Sequence, residues 1–143
     1  MMSWLPRQAV VVPIDFSDDS FASLATANEM VDDPTHLHVV YVLPHLEPMD
    51  PGVIWQTIND ADRSAHAHKA LQEELASRGC EGMKIVIRFG NPGHEIARYA
   101  KEIDAGLVVL ATHGQTGLKH LLLGSVAERV VRLAHCPVLV LKH

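Results

Sequence analysis

The chain has 143 residues, 48% apolar, 20% charged and 5% aromatic, and its 12 basic and 17 acidic side chains give −5 with the ten histidines neutral. At ~100–200 residues per domain, residues 1–143 are expected to form one domain, large enough for a core without disulfides or metals. Mild acidity without a Lys/Arg cluster argues against nucleic acid or an anionic membrane as partner.

Two cysteines, Cys80 and Cys136, are too few for a disulfide framework and fit a reducing compartment. Pro6, Arg7 and Gln8 stand where a signal peptide needs an unbroken apolar stretch. No apolar run approaches the ~18–20 residues of a membrane span. A soluble, cytoplasmic protein is expected.

Residues 9–14 (Ala-Val-Val-Val-Pro-Ile) open the chain as a buried strand. Ser17 or Asp18 can cap a following helix that carries Phe21, Leu24, Ala25, Ala27 and Met30 and ends near Asp33-Pro34. A second strand is expected over residues 37–43, then a long connection, 44–52, rich in proline. The next helical pattern covers about Ile54 to Ser77, with Ile54, Ile58, Ala61, Ala65 and Leu75 on its apolar side and Gly79 as its stop.

Residues 83–89 alternate, with Ile85, Ile87 and Phe89 against Lys84 and Arg88, which suits an edge strand. Asn91-Pro92-Gly93 starts a third helix bearing Ile96, Ala97, Ala100 and Ile103. A fourth strand follows at 107–111. Gly124-Ser125 begins a fourth helix with Val126, Val130, Val131 and Ala134, and a last strand spans 137–141. The order βαβαβαβαβ predicts an α/β fold, a parallel sheet with helices on both faces.

In such a sheet, ligands bind outside the carboxyl ends of the strands, where strand order reverses. The connection 112–125 lies on that side and is the most informative. Gly114 permits a tight turn or a close backbone approach. Gly124-Ser125 opens a helix, whose free N–H groups and dipole favour an anion. Hydrogen bonds to a charged acceptor contribute about 1.5–3 kcal/mol each, so several can hold a phosphate without a P-loop lysine. The alternative is that Gly114 and Gly117 only shape a loop and Ser125 only caps a helix.

Ala111-Thr112-His113-Gly114, nine further residues, then Gly124-Ser125-Val126 resembles the nucleotide-binding signature of the universal stress protein family. That signature is glycine, two residues, glycine, nine residues, glycine, then serine or threonine. The resemblance continues through residues 121–130 and 135–140 and covers the opening 12–17, and it is loosest between 44 and 82. It implies a five-stranded parallel sheet ordered 3-2-1-4-5, of the Rossmann-like, adenine nucleotide alpha hydrolase-like kind. It implies bound ATP with Mg2+ or Mn2+, with AMP, ADP and cyclic AMP as alternatives.

Carried over by position, Pro13, Ile14 and Asp15 would lie along the nucleoside and Val42 would meet adenine. Leu110, Ala111 and His113 would line the ribose and phosphate approach, and Gly114, Gly124, Ser125 and Val126 would hold the phosphates. Ala111 departs from the family pattern, since the signature has its first glycine there. A methyl costs little at negative φ but can crowd a ribose. An uncompensated carboxylate beside a triphosphate is repulsive, so Asp15 belongs on a hydroxyl or amine, or near a metal ion. Its other reading is a turn residue that satisfies backbone N–H groups before the helix.

The resemblance also implies a homodimer through the last strands, Val138-Leu141 of each chain. That agrees with an apolar edge strand whose backbone groups want partners. His36/His38 and His66/His68 lack the spacing and companions of a metal site. Neither the GxxxxGK[ST] nor the GxGxxG fingerprint is present. The expected function is a cytoplasmic, non-enzymatic ATP-binding module, a nucleotide-dependent switch or partner-binding protein in stress response. The rivals are a dimeric scaffold that does not bind ATP, and a slow ATPase or autophosphorylating protein with Thr112, Ser125 or Thr116 as acceptor.

Overall fold

Val10–Pro13 forms β1, and all three of its valines are buried, because helices cover both sides of it. The computed structural model describes residues 3–51, 55, 59–112 and 123–142. The remaining elements follow in alternation: α1 (Asp18–Asn28), β2 (Leu37–Leu43), α2 (Asp60–Ser77), β3 (Lys84–Phe89), α3 (Pro92–Glu102), β4 (Leu107–Ala111), α4 (Ser125–Leu133) and β5 (Val138–Leu141). All strand pairs are parallel, and the order is β3-β2-β1-β4-β5. The fold is the expected Rossmann-like α/β arrangement, with β3 on an edge as its alternation implied.

Strand periodicity divides the core into two layers. Val10, Val12, Val39 and Val109 face Phe21 and Leu24 of α1 and Leu71 and Leu75 of α2. Val11, Val40, Val108 and Leu110 face Ile96 and Ala100 of α3 and Ala127 and Val130 of α4. Each such fully buried Val or Leu contributes roughly 1.5–3 kcal/mol relative to leaving it exposed. Cys80 and Cys136 are both free thiols.

Expectations change on three of the helices. Ser17 caps α1, accepting from the Ser20 N–H, but the helix ends at Asn28 and Ala25 is exposed. A separate 3-10 turn, Pro34–His36, with Asp33 as its cap, occupies the region of its expected end. The second helix starts at Asp60, capped by Asn59, and Ala61 and Ala65 are exposed while Leu71 and Leu75 carry its burial. Ile54 and Ile58 lie outside the described residues. Val131 is exposed on α4, because the face that meets the sheet carries Val126, Ala127 and Val130. Gly79 does end α2: it takes φ +73, and the Cys80 N–H reaches back to the Leu75 carbonyl.

Candidate functional site

β1 and β4 are neighbours, yet their connections leave in opposite directions, to β2 on one side and β5 on the other. That reversal opens a crevice at their carboxyl ends. A cavity of about 120 Å³ occupies it. Pro13, Ile14 and Asp15 form one wall and Val42, Leu110, Ala111 and Val126 contribute to the others. Seven of the eleven residues singled out in the sequence therefore meet around one space.

Gly124 and Ser125 do not line that cavity but lie at the start of α4, directly before Val126. His113 and Gly114 lie outside the described residues. Sequence reasoning missed Val40, Tyr41, Pro92, Ile96 and Ala127 as lining residues. Pro92 carried a signal, since proline in the first turn of α3 places that helix end beside the carboxyl end of β3.

The first turn of α4 differs from the other helix starts. Ser17, Asn59 and Asn91 cap α1, α2 and α3 with side-chain acceptors. The α4 cap is Gly124, which has no side chain to offer. Ser125 is thus not the cap but the first helical residue, and its side chain is exposed. With Val126 and Ala127 lining the cavity, this helix presents its N-terminal, positively polarised end to the crevice.

Asp15 does the turn work that was one of its two readings. Its Oδ1 accepts from the Ser17 N–H at 2.9 Å, while the residue also lines the cavity. Phe16 then takes φ +66, unusual for a bulky residue. Its ring packs edge-on against Phe21 and Tyr41, which holds the turn. Ala111 ends β4 in the extended conformation and pairs with Leu141, so its methyl carries no backbone strain.

The sequence model of the universal stress protein family matches residues 6–142. The chain belongs to that family. It is 36% identical over 139 residues to universal stress protein MJ0531 of Methanocaldococcus jannaschii, covering 93% of this chain and 81% of that one. Some curated relatives are longer: universal stress protein E of Escherichia coli K12 is 34% identical over 110 residues, which are 76% of this chain and 32% of that protein. The chain thus spans about a third of that relative.

Among solved structures, universal stress protein UspA from Lactobacillus plantarum superposes with a TM-score of 0.69 at 28% identity, covering 94% of this chain and 98% of that one. A universal stress protein solved in complex with cAMP gives a TM-score of 0.67 at 22% identity, covering 95% and 97%. Both likenesses extend over nearly the whole chain and show the same overall fold. No helix among the described residues is long and apolar enough to cross a membrane.

Proposed function

We propose that this universal stress protein binds an adenine nucleotide, ATP foremost, in the crevice between β1 and β4 and acts as a switch or partner-binding module rather than as an enzyme. The observation that carries the reading is one juxtaposition. An apolar cavity sits at the carboxyl ends of the central strands, and the helix whose cap lacks a side chain opens beside it. Aliphatic walls suit a flat purine, and uncapped amides suit phosphate.

The register suggests how adenine would be read. Backbone groups of alternate residues in a strand point to the same neighbour. The Val40 carbonyl accepts from the Ile14 N–H on β1, so Val42 turns its N–H and C=O to the same side. β1 has stopped at Pro13, and that edge therefore meets the cavity rather than another strand. An amide donor and acceptor two atoms apart match the edge of adenine. Asp15, Ala111 and Leu110 would then flank the sugar, and Gly124, Ser125 and Val126, with His113 and Gly114, the phosphates.

Asp18 and Asp19 open α1 near this mouth, and Asp15 lines it. A triphosphate would arrive with a counter-ion. Among the described residues no three His, Cys, Asp or Glu side chains converge to hold a metal. Magnesium or manganese is accordingly proposed to ride on the phosphates, with protein groups as outer ligands. Pairing of two copies through β5 and a cytoplasmic location complete the reading.

Calorimetric titration of stripped protein with magnesium ATP, then with cyclic AMP, tests it. Saturable one-to-one binding without phosphate release over hours is expected. Absence of binding would leave the scaffold reading standing, and steady release of phosphate the enzymatic one.

A further inference from the structure

The other face of the sheet carries a second opening, and it has a composition of its own. α2 runs for eighteen residues, but its large buried side chains, Leu71 and Leu75, belong to its second half. Arg63, Ala67 and Ala70 of α2 line the adjoining groove, spaced i, i+4 and i+7 along one helix face. Two alanines cannot fill the distance between helix and sheet. The result is a groove of about 370 Å³ beside Phe16, Tyr41 and Leu43.

Its lining carries a cationic and an imidazole side chain and no carboxylate among the described residues. Arg63 and His66 both line the groove. The Arg63 side chain is only 18% exposed, and its guanidinium lies 5.3 Å from the Phe89 ring. Its carboxylate partner is Asp60, a single contact at 3.3 Å from a side chain that is 54% exposed. Among the described residues, this long, half-solvated pair engages one nitrogen of the guanidinium fork. Across the groove the Tyr41 and Phe16 rings stand edge to face at 5.0 Å, the latter on the turn with φ +66. The groove therefore offers an aromatic wall opposite a half-buried cation.

We propose that this groove is a second ligand site, for a small ring-bearing carboxylate whose ring packs on Tyr41 and Phe16 and whose carboxylate pairs with Arg63. His66 adds an N–H donor at the rim. A ligand carboxylate can approach the guanidinium through two parallel hydrogen bonds, which Asp60, three residues away on the same helix, does not. The groove opens on the α1–α2 side, whereas the nucleotide cavity is walled by α3 and α4. Tyr41 borders both, so Phe16 and Ala67 are the positions that report this site, and it does not depend on ATP binding.

The test uses para-fluorobenzoate as probe, followed by fluorine NMR, with amide shifts mapped on the whole chain. Saturable binding is expected, with shifts centred on Phe16 and Ala67. Arg63→Gln should weaken it roughly tenfold, the loss of one charged hydrogen-bonding pair. Ala67→Phe, which fills the groove, should abolish it, and an unchanged amide spectrum elsewhere would show that each variant folds. Fluorobenzene, which lacks the carboxylate, should bind at least tenfold more weakly. The proposal is overturned by absence of saturable binding, by equal affinity in Arg63→Gln or for fluorobenzene, or by shifts centred on Leu110 and Val126.

Discussion

The backbone N–H of Gly124 donates to the Thr112 carbonyl at 2.6 Å, which ties the start of α4 to the residue that follows β4. Thr112 is held in turn, because its own N–H reaches the Leu141 carbonyl of β5 at 2.9 Å. The helix end proposed to meet phosphate is thereby fixed to the sheet itself, whatever the path of residues 113–122. Gly124 has φ −59 and ψ 159, a conformation open to any residue. Gly124→Glu should keep the thermal midpoint, since a carboxylate at a helix N-terminus is itself favourable by about 0.3–1 kcal/mol. It should lower ATP affinity more than about tenfold in calorimetry by placing a charge where phosphate is proposed. Unaltered affinity would move the phosphates elsewhere.

Gly93 sets the distance between α3 and α4. A Cβ built there would stand 2.6 Å from the Arg129 Cβ, closer than two such atoms can sit, and the contact is not with a flexible tip. Gly93→Val should therefore push the helices apart and destabilise the protein by about 2 kcal/mol, the usual size of an overpacking penalty. Urea unfolding measures it. Pro92 and Ala127, one on each helix, line the nucleotide cavity, so ATP affinity should fall with it.

How much of this was legible follows from which signals are local. The valines of β1 and β4 and the alternation of β3 are local, and they led directly to the central and edge strands that form. The family resemblance at residues 111–126 and 12–17 led to the two walls of one cavity. The start of α2 at Asp60 departs from the expected Ile54 because Asn59 is extended and caps the helix, its side chain accepting from the Asp62 N–H. Val40, Ile96 and Ala127 read as core in any sequence. Only the assembled sheet shows that they also end at an opening. Ala67 and Ala70 were silent, because an alanine beside a cavity has the same sequence signature as one in a packed core.

His38 gives the fold a pH dependence of defined sign. It is buried on β2, Nδ1 lies 2.6 Å from the Tyr99 hydroxyl, and Lys84 is its register partner on β3. Burial foremost, then the charges of Lys84 and His36, push its imidazole below the ordinary 6.5. The unfolded chain therefore binds this proton more readily than the folded one, and stability falls as pH drops below about 6.5. Urea midpoints at about pH 7.5 and about pH 5.5 should differ more in the natural chain than in His38→Gln. Equal differences would assign the pH dependence to other groups.

The open edge at β5 makes the last prediction. The Pro137 and Leu141 carbonyls accept from Val108 and Thr112, so the odd-numbered residues of this strand turn their backbone groups to β4. By alternation, Val138 and Val140 turn theirs to the edge. Proline at 140 would remove an edge donor without touching the β4 ladder, a position where strands tolerate it. Val131 and Leu133 are exposed apolar side chains on α4, the helix that packs against β5. If two copies pair there as proposed, Val140→Pro should sediment as a folded monomer while the natural chain sediments as a dimer. A natural chain that is monomeric at micromolar concentration would remove the pairing, and a Val140→Pro dimer would place the interface on another face.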